Sequence, residues 1–174
     1  AWALASSLAL LNDVGLVHGD VKPLNVLVHE SGEERLPLLA DYGCSGQLDT
    51  FATRRALRAD EVIRVSAGTA KFAAPEVTAA FAGGDGRATP RSDMYSWALT
   101  LQRLAQDVAT MPQTLKVAVE ACLAHDPALR PQSFRSIAER LENPAVVEWA
   151  KKLRAEQDGV EPNISAKPAC TARL

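Results

Sequence analysis

The sequence predicts an α+β domain, mainly α-helical, with one small β hairpin. Three observations carry this. Leu4, Leu8 and Leu11 recur at helical spacing, and the pattern returns at Tyr95, Ala98, Leu99, Leu101 and Leu104. Two short Val- and Leu-rich runs, residues 25–29 and 36–40, flank the polar stretch 30–35, as two strands joined by a turn would. Between about residues 41 and 76 the chain carries Gly43, Gly46 and Gly68 and shows little periodicity. A loop of that length in a compact domain is usually functional or disordered.

The first helix is expected over residues 1 to about 14 and ends at Gly15, which tolerates positive φ. Because residue 1 falls inside a helix, more chain is expected upstream. Leu16, Val17 and His18 form a short extended piece before a loop in which Pro23 discourages helix. After the hairpin and the long loop, Ala74-Pro75-Glu76 opens a short helix, and residues 82–86 break the chain with three glycines. Ser92-Asp93 is the expected N-cap of a helix running to about Asp107. Another spans about residues 113–124 and stops before Asp126-Pro127, since proline pushes its predecessor out of the α region. Residues 132–142 and 145–157 read as two more helices. The expected organisation is one domain over residues 1–143, a terminal helix over 144–157 and a flexible tail over 158–174.

The bulk properties narrow the function classes. The chain has 174 residues, 47% of them hydrophobic, and a formal net charge of −2. No face is forced to be basic, which argues against nucleic-acid or membrane-surface binding. Cys44, Cys122 and Cys170 are odd in number and far apart, so neither a disulfide framework nor a zinc site is expected and a reducing, cytoplasmic setting fits. No run approaches the roughly 18 apolar residues of a membrane span.

Chemistry concentrates in His18-Gly19-Asp20-Val21-Lys22-Pro23-Leu24-Asn25 and in Asp41-Tyr42-Gly43. A carboxylate, a cation and an amide lie within six residues, and a second carboxylate follows the next apolar run. Phosphoryl transfer needs such groups: oxygen ligands for a hard metal, positive charge at the moving phosphoryl, and a carboxylate that orients the attacking hydroxyl. Asn25 and Asp41 supply oxygens, Asp20 accepts a hydroxyl proton, and Lys22 offers a point charge. A lone Asp-x-Lys elsewhere would read as a surface ion pair.

These residues resemble the protein kinases, serine/threonine branch. His18 to Asn25 is similar to the H-R-D-L-K-P-x-N catalytic loop, and Asp41-Tyr42-Gly43 stands where D-F-G is expected. Gly68-Thr69-Ala70-Lys71-Phe72-Ala73-Ala74-Pro75-Glu76 resembles G-T-x-x-Y-x-A-P-E, Ser92 to Trp97 resembles S-D-V-Y-S-F/W, and Asp126 to Pro131 resembles D-P-x-x-R-P. The order of the motifs carries the resemblance. It implies Asp20 as catalytic base, Lys22 as the γ-phosphate contact, Asn25 and Asp41 as Mg²⁺ ligands, and Leu27 as the floor under the adenine of ATP. It further implies that Thr69 closes the site toward Asp20 and Lys22, that Glu76 and Arg130 form a buried ion pair, and that Asp93 braces the catalytic loop. The implied partners are ATP and a protein carrying the acceptor serine or threonine.

The chain departs from the pattern in four places. It shows no Gly-rich loop, strand lysine or helix-borne glutamate, so the resemblance covers a C-terminal lobe with the N-terminal lobe absent. Gly19 stands where an arginine usually reads an activation-loop phosphate, so activity is not expected to depend strongly on Thr50, Thr53 or Ser66. The segment from Asp41 to Glu76 is long. Only 37 residues separate Asp93 from Arg130, which implies a shortened helical region. The alternative function is a non-catalytic kinase-like scaffold or regulatory module.

Overall fold

The computed structural model describes residues 1–31, 34–47, 70–81, 88–108 and 110–158. Thr69, the three hydroxyl residues at 50, 53 and 66, the basic group 54–58, the break at 82–86 and the tail beyond Asp158 lie outside them.

Helix α1 (Trp2–Asp13) turns Leu4, Ala5, Leu8 and Ala9 inward. Gly15 ends it as expected, with φ of 77° and its amide on the Asn12 carbonyl at 2.9 Å. Strand β1 (Leu16–Val17) follows. A 3₁₀ turn at Pro23–Asn25 then delays the next strand, so β2 is Val26–Ser31, one residue later than expected. Proline at its first position sets φ and needs no donor. Strand β3 (Glu34–Leu39) pairs antiparallel with β2 from Val26 opposite Leu39 to Ser31 opposite Glu34. The ladder therefore runs into the polar stretch expected to be all turn. A second small sheet was not expected: β4 (Gly46–Gln47) pairs antiparallel with β1, Val17 opposite Gly46.

The remaining elements are helical. They are α2 (Pro75–Phe81), α3 (Pro90–Leu104), α4 (Gln113–Cys122), α5 (Phe134–Leu141) and α6 (Pro144–Asp158). The N-cap of α3 is Thr89 rather than Ser92-Asp93: the Thr89 hydroxyl accepts the Ser92 amide at 3.1 Å, the Ser92 hydroxyl accepts the Thr89 amide at 2.7 Å, and Pro90 takes the first helical position. Asp93 is thereby carried inside the first turn. Ser133 caps α5, and Asp126 caps a 3₁₀ turn at Pro127–Leu129.

The core lies where α1, α3, α4 and α5 meet. Trp97, Phe134, Leu4, Leu8, Met94, Ile137 and Leu141 are fully buried, and the Trp97 and Phe134 rings meet edge to face at 6.2 Å. Burying each large apolar side chain contributes about 1.5–3 kcal/mol. The helical core thus forms a platform, and the loop that follows β1 runs across the buried first turn of α3. No helix among the described residues is long and apolar enough to cross a membrane.

Candidate active site

The loop between β1 and the 3₁₀ turn is pinned from below. Asp93, 1% exposed, accepts the His18 amide at 2.8 Å and the Gly19 amide at 2.9 Å, one on each carboxylate oxygen. Burial pushes its carboxyl up to about 7, against the pull of the two amides. The folded state keeps the proton that the unfolded chain loses near pH 4, so this group's stabilising contribution is full at low pH and is lost as pH rises through about 7. The melting-temperature gap between the wild type and Asp93→Asn should therefore narrow from about pH 4 to about pH 8. A gap that stays constant across that range would rule this out.

His18 is buried, and burial lowers its pKa, so the neutral imidazole is favoured. Its Nδ1 accepts the Asp20 amide at 3.3 Å, which puts the ring proton on Nε2, where it meets the Ala40 carbonyl at 3.2 Å. The ring also packs 4.9 Å from Tyr42. His18 therefore ties the loop to the chain leaving β3.

Asp20 sits above this support, 6% exposed. Its Oδ2 accepts Lys22 Nζ at 2.7 Å and Asn25 Nδ2 at 3.2 Å; Asn25 Nδ2 also reaches the Asp20 carbonyl at 2.9 Å. The other oxygen, Oδ1, is buried with no hydrogen-bond partner among the described residues. A buried carboxylate oxygen without a donor is costly unless something supplies one. Because Asn25 uses its nitrogen on Asp20, its carbonyl oxygen is the atom left to meet a cation. The Asn25 backbone carbonyl accepts the Ala40 amide at 2.8 Å, which brings the two ends of the hairpin together.

Asp41 follows Ala40 in the left-handed region, φ 63°, a conformation that aspartate tolerates better than most residues. Its Oδ1 accepts the Gly43 amide at 3.2 Å, and the side chain is exposed. Leu27 is 54% exposed on the open face of the hairpin, opposite Leu38 at 47%. Cys44 is half-buried, and burial, then the nearby Asp20 and Asp41 charges, raise its thiol pKa, so the protonated, weakly nucleophilic form is favoured. Cys122 is buried and pushed up to about 12.

Away from the loop, Arg130 meets Glu76 through two parallel bonds of 2.6 and 2.8 Å. The Arg130 side chain is fully buried, whereas Glu76 keeps 26% of its side chain exposed, so only the arginine of the expected buried pair is wholly sequestered. Tyr95 lies under the guanidinium at 5.0 Å. The sequence reading missed three contributors: Tyr95, Arg91, which donates to the Pro127 carbonyl at 2.5 Å, and Ser45, which donates to the His18 carbonyl at 3.3 Å. Their targets are backbone or cation contacts that no residue spacing announces. Of the expected site residues, Asp20, Lys22 and Asn25 are in direct contact, Asp93 lies beneath them, Asp41 stands at the adjoining hairpin end, and Thr69 falls outside the described residues.

A sequence profile of the protein kinase domain matches residues 1–120. Over 101 residues the chain is 33% identical to the serine/threonine-protein kinase mos of Gallus gallus, covering 58% of this chain and 25% of that protein. Over 166 residues it is 29% identical to the serine/threonine-protein kinase PknK of Mycobacterium tuberculosis, covering 79% of this chain and 14% of the relative. PknL of the same species is 38% identical over 91 residues, 51% of this chain and 18% of the relative. The chain thus spans a quarter or less of these relatives' lengths. With the kinase profile covering well over half of its residues, this chain belongs to the eukaryotic-type protein kinase superfamily.

Proposed function

We propose that the chain is the C-terminal lobe of an ATP- and Mg²⁺-dependent serine/threonine protein kinase. The observation that carries this is the buried Asp20 carboxylate, held on one oxygen by Lys22 and Asn25 while the other has no partner among the described residues. An acceptor oxygen so placed suits an incoming hydroxyl, whose proton Asp20 would take while aiming the oxygen for attack. Lys22, ion-paired to Asp20, brings positive charge to the place where the transferred group passes.

The donor set fits magnesium. The Asn25 amide oxygen and the Asp41 carboxylate are hard ligands, and Mg²⁺ characteristically takes one or two carboxylates with phosphate oxygens and water completing its shell. When bound, Mg-ATP supplies the γ-phosphoryl group with its charge partly neutralised. The open apolar face at Leu27 suits the flat adenine. Asp93 holds the loop backbone, and the Glu76–Arg130 pair fixes the segment that opens α2 against the helical platform. The relatives' names support serine or threonine as the acceptor.

The test is transfer of labelled γ-phosphate to serine and threonine peptides by the natural full-length protein; no transfer with Mg-ATP would leave the non-catalytic reading standing. A second expectation follows from exposed Leu27 and Leu38. A nucleotide covered on one face only buries too little surface for tight binding. Calorimetry on these 174 residues alone should find weak or undetectable Mg-ATP affinity. Micromolar binding would contradict it.

A further inference from the structure

We propose that Gly19 is a positioning residue for Asp41: lacking a side chain, it lets the Cys44 carbonyl pack against it, which docks the segment beginning at Asp41 onto the catalytic loop. The packing stands on geometry alone; its catalytic consequence rests on the phosphotransfer reading.

Gly19 has a φ of 77°, and a Cβ built on it would lie 2.7 Å from the Cys44 carbonyl oxygen, 3.5 Å from the Cys44 carbonyl carbon and 3.6 Å from the Ala88 Cβ. The nearest atom belongs to backbone, so no rotamer change relieves the clash. One of the two segments must move. Gly19 is not free to do so, because its amide and that of His18 are both bonded to Asp93. The displaced partner is therefore Cys44.

Cys44 stands at the centre of a short docked stretch. Before it, Asp41 occupies the left-handed region and accepts the Gly43 amide. After it, the Ser45 amide bonds the Tyr42 carbonyl at 3.0 Å, the Ser45 hydroxyl bonds the His18 carbonyl at 3.3 Å, and β4 pairs with β1. Pushing Cys44 outward strains the strand pair on one side and the Asp41 turn on the other. An arginine at position 19, the residue the family pattern has there, acts in this chain as a wedge rather than as a restored phosphate sensor. The docking needs no phosphate, since the contacts in it are made by backbone, hydroxyl, ring and Asp41 carboxylate groups of the chain itself.

The test compares Gly19→Ala and Gly19→Arg with Gly15→Ala, which imposes the same φ of 77° at the end of α1 and so controls for backbone strain. In a Cys170→Ser background, Cys44 labelling by a maleimide and hydrogen exchange at the Ser45 amide report the docking without any need for activity. Gly19→Ala should raise both by about tenfold or more, as expected for a locally opened segment. In the natural full-length protein it should lower kcat by about tenfold while the peptide KM stays within about twofold, the signature of misplaced groups rather than lost binding. Gly15→Ala should lower Tm and leave labelling unchanged. Unchanged labelling and exchange in Gly19→Ala would overturn the proposal, and raised labelling with unchanged kcat would overturn the positioning role. A wild type that transfers no phosphate would defeat the phosphotransfer reading, while raised labelling would still support the packing. If Gly19→Arg does not fold, Gly19→Ala alone decides.

Discussion

Asp20→Asn is expected to lower phosphotransfer by about 10²–10⁴-fold, the range for loss of a positioned general base, with little change in the fold. Asparagine has nearly the same shape, so its side-chain oxygen can still accept from Lys22 and the platform under Asp93 is untouched. What vanishes is the second acceptor oxygen, the one with no partner among the described residues, together with the negative charge that favours taking a proton. The measurement is kcat and peptide KM in the natural full-length protein, with thermal unfolding as the control. Expected are a collapse in kcat, a peptide KM within a few-fold, and a Tm within a few degrees. A variant that retains its rate would remove Asp20 from the reaction and with it the proposed function.

Arg130→Ala should be the most destabilising single change, costing about 3–5 kcal/mol, as breaking a buried charged pair typically does. The structural reason extends beyond Glu76. All five guanidinium N–H groups are used: Nε on the Ala124 carbonyl, Nη1 on Glu76 and the Arg91 carbonyl, and Nη2 on Glu76 and the His125 carbonyl. Truncation removes the partner of three backbone acceptors at once. Each acceptor left buried and unsatisfied costs about 1–3 kcal/mol. Glu76 itself is partly solvated, so Glu76→Gln should cost less than half as much, and Arg130→Lys should rescue little because an ammonium cannot reproduce the fork. Urea unfolding would show this as a lower midpoint at unchanged slope. A loss below about 1 kcal/mol in Arg130→Ala would refute the account.

The legible parts of the fold are those governed by local pattern. The Val- and Leu-rich runs announced the hairpin and Gly15 the end of α1, whereas α4 stops at Cys122, short of the Asp126-Pro127 step expected to end it. Thr89-Pro90 carried an equally good start signal for α3, but Ser92-Asp93 offers the same cap chemistry three residues later, and local rules do not rank the two. Strand β4 was illegible because Gly46 and Gln47 show no strand pattern; they pair through backbone groups that every residue possesses.

The site divides in the same way. Local sequence was enough to gather a carboxylate, a cation and an amide between Asp20 and Asn25 and to place Asp41 one hairpin away, since short separations along the chain leave little freedom. The tertiary structure alone decided how those groups are used. It put Asp93 beneath two amides, fixed the His18 tautomer between the Asp20 amide and the Ala40 carbonyl, satisfied Arg130 with three carbonyls, one of them 39 residues away, and seated the Cys44 carbonyl where Gly19 has no side chain. The partner in almost every one of these contacts is a backbone atom. Backbone atoms are alike at every position, so only folding reveals which one a side chain will meet.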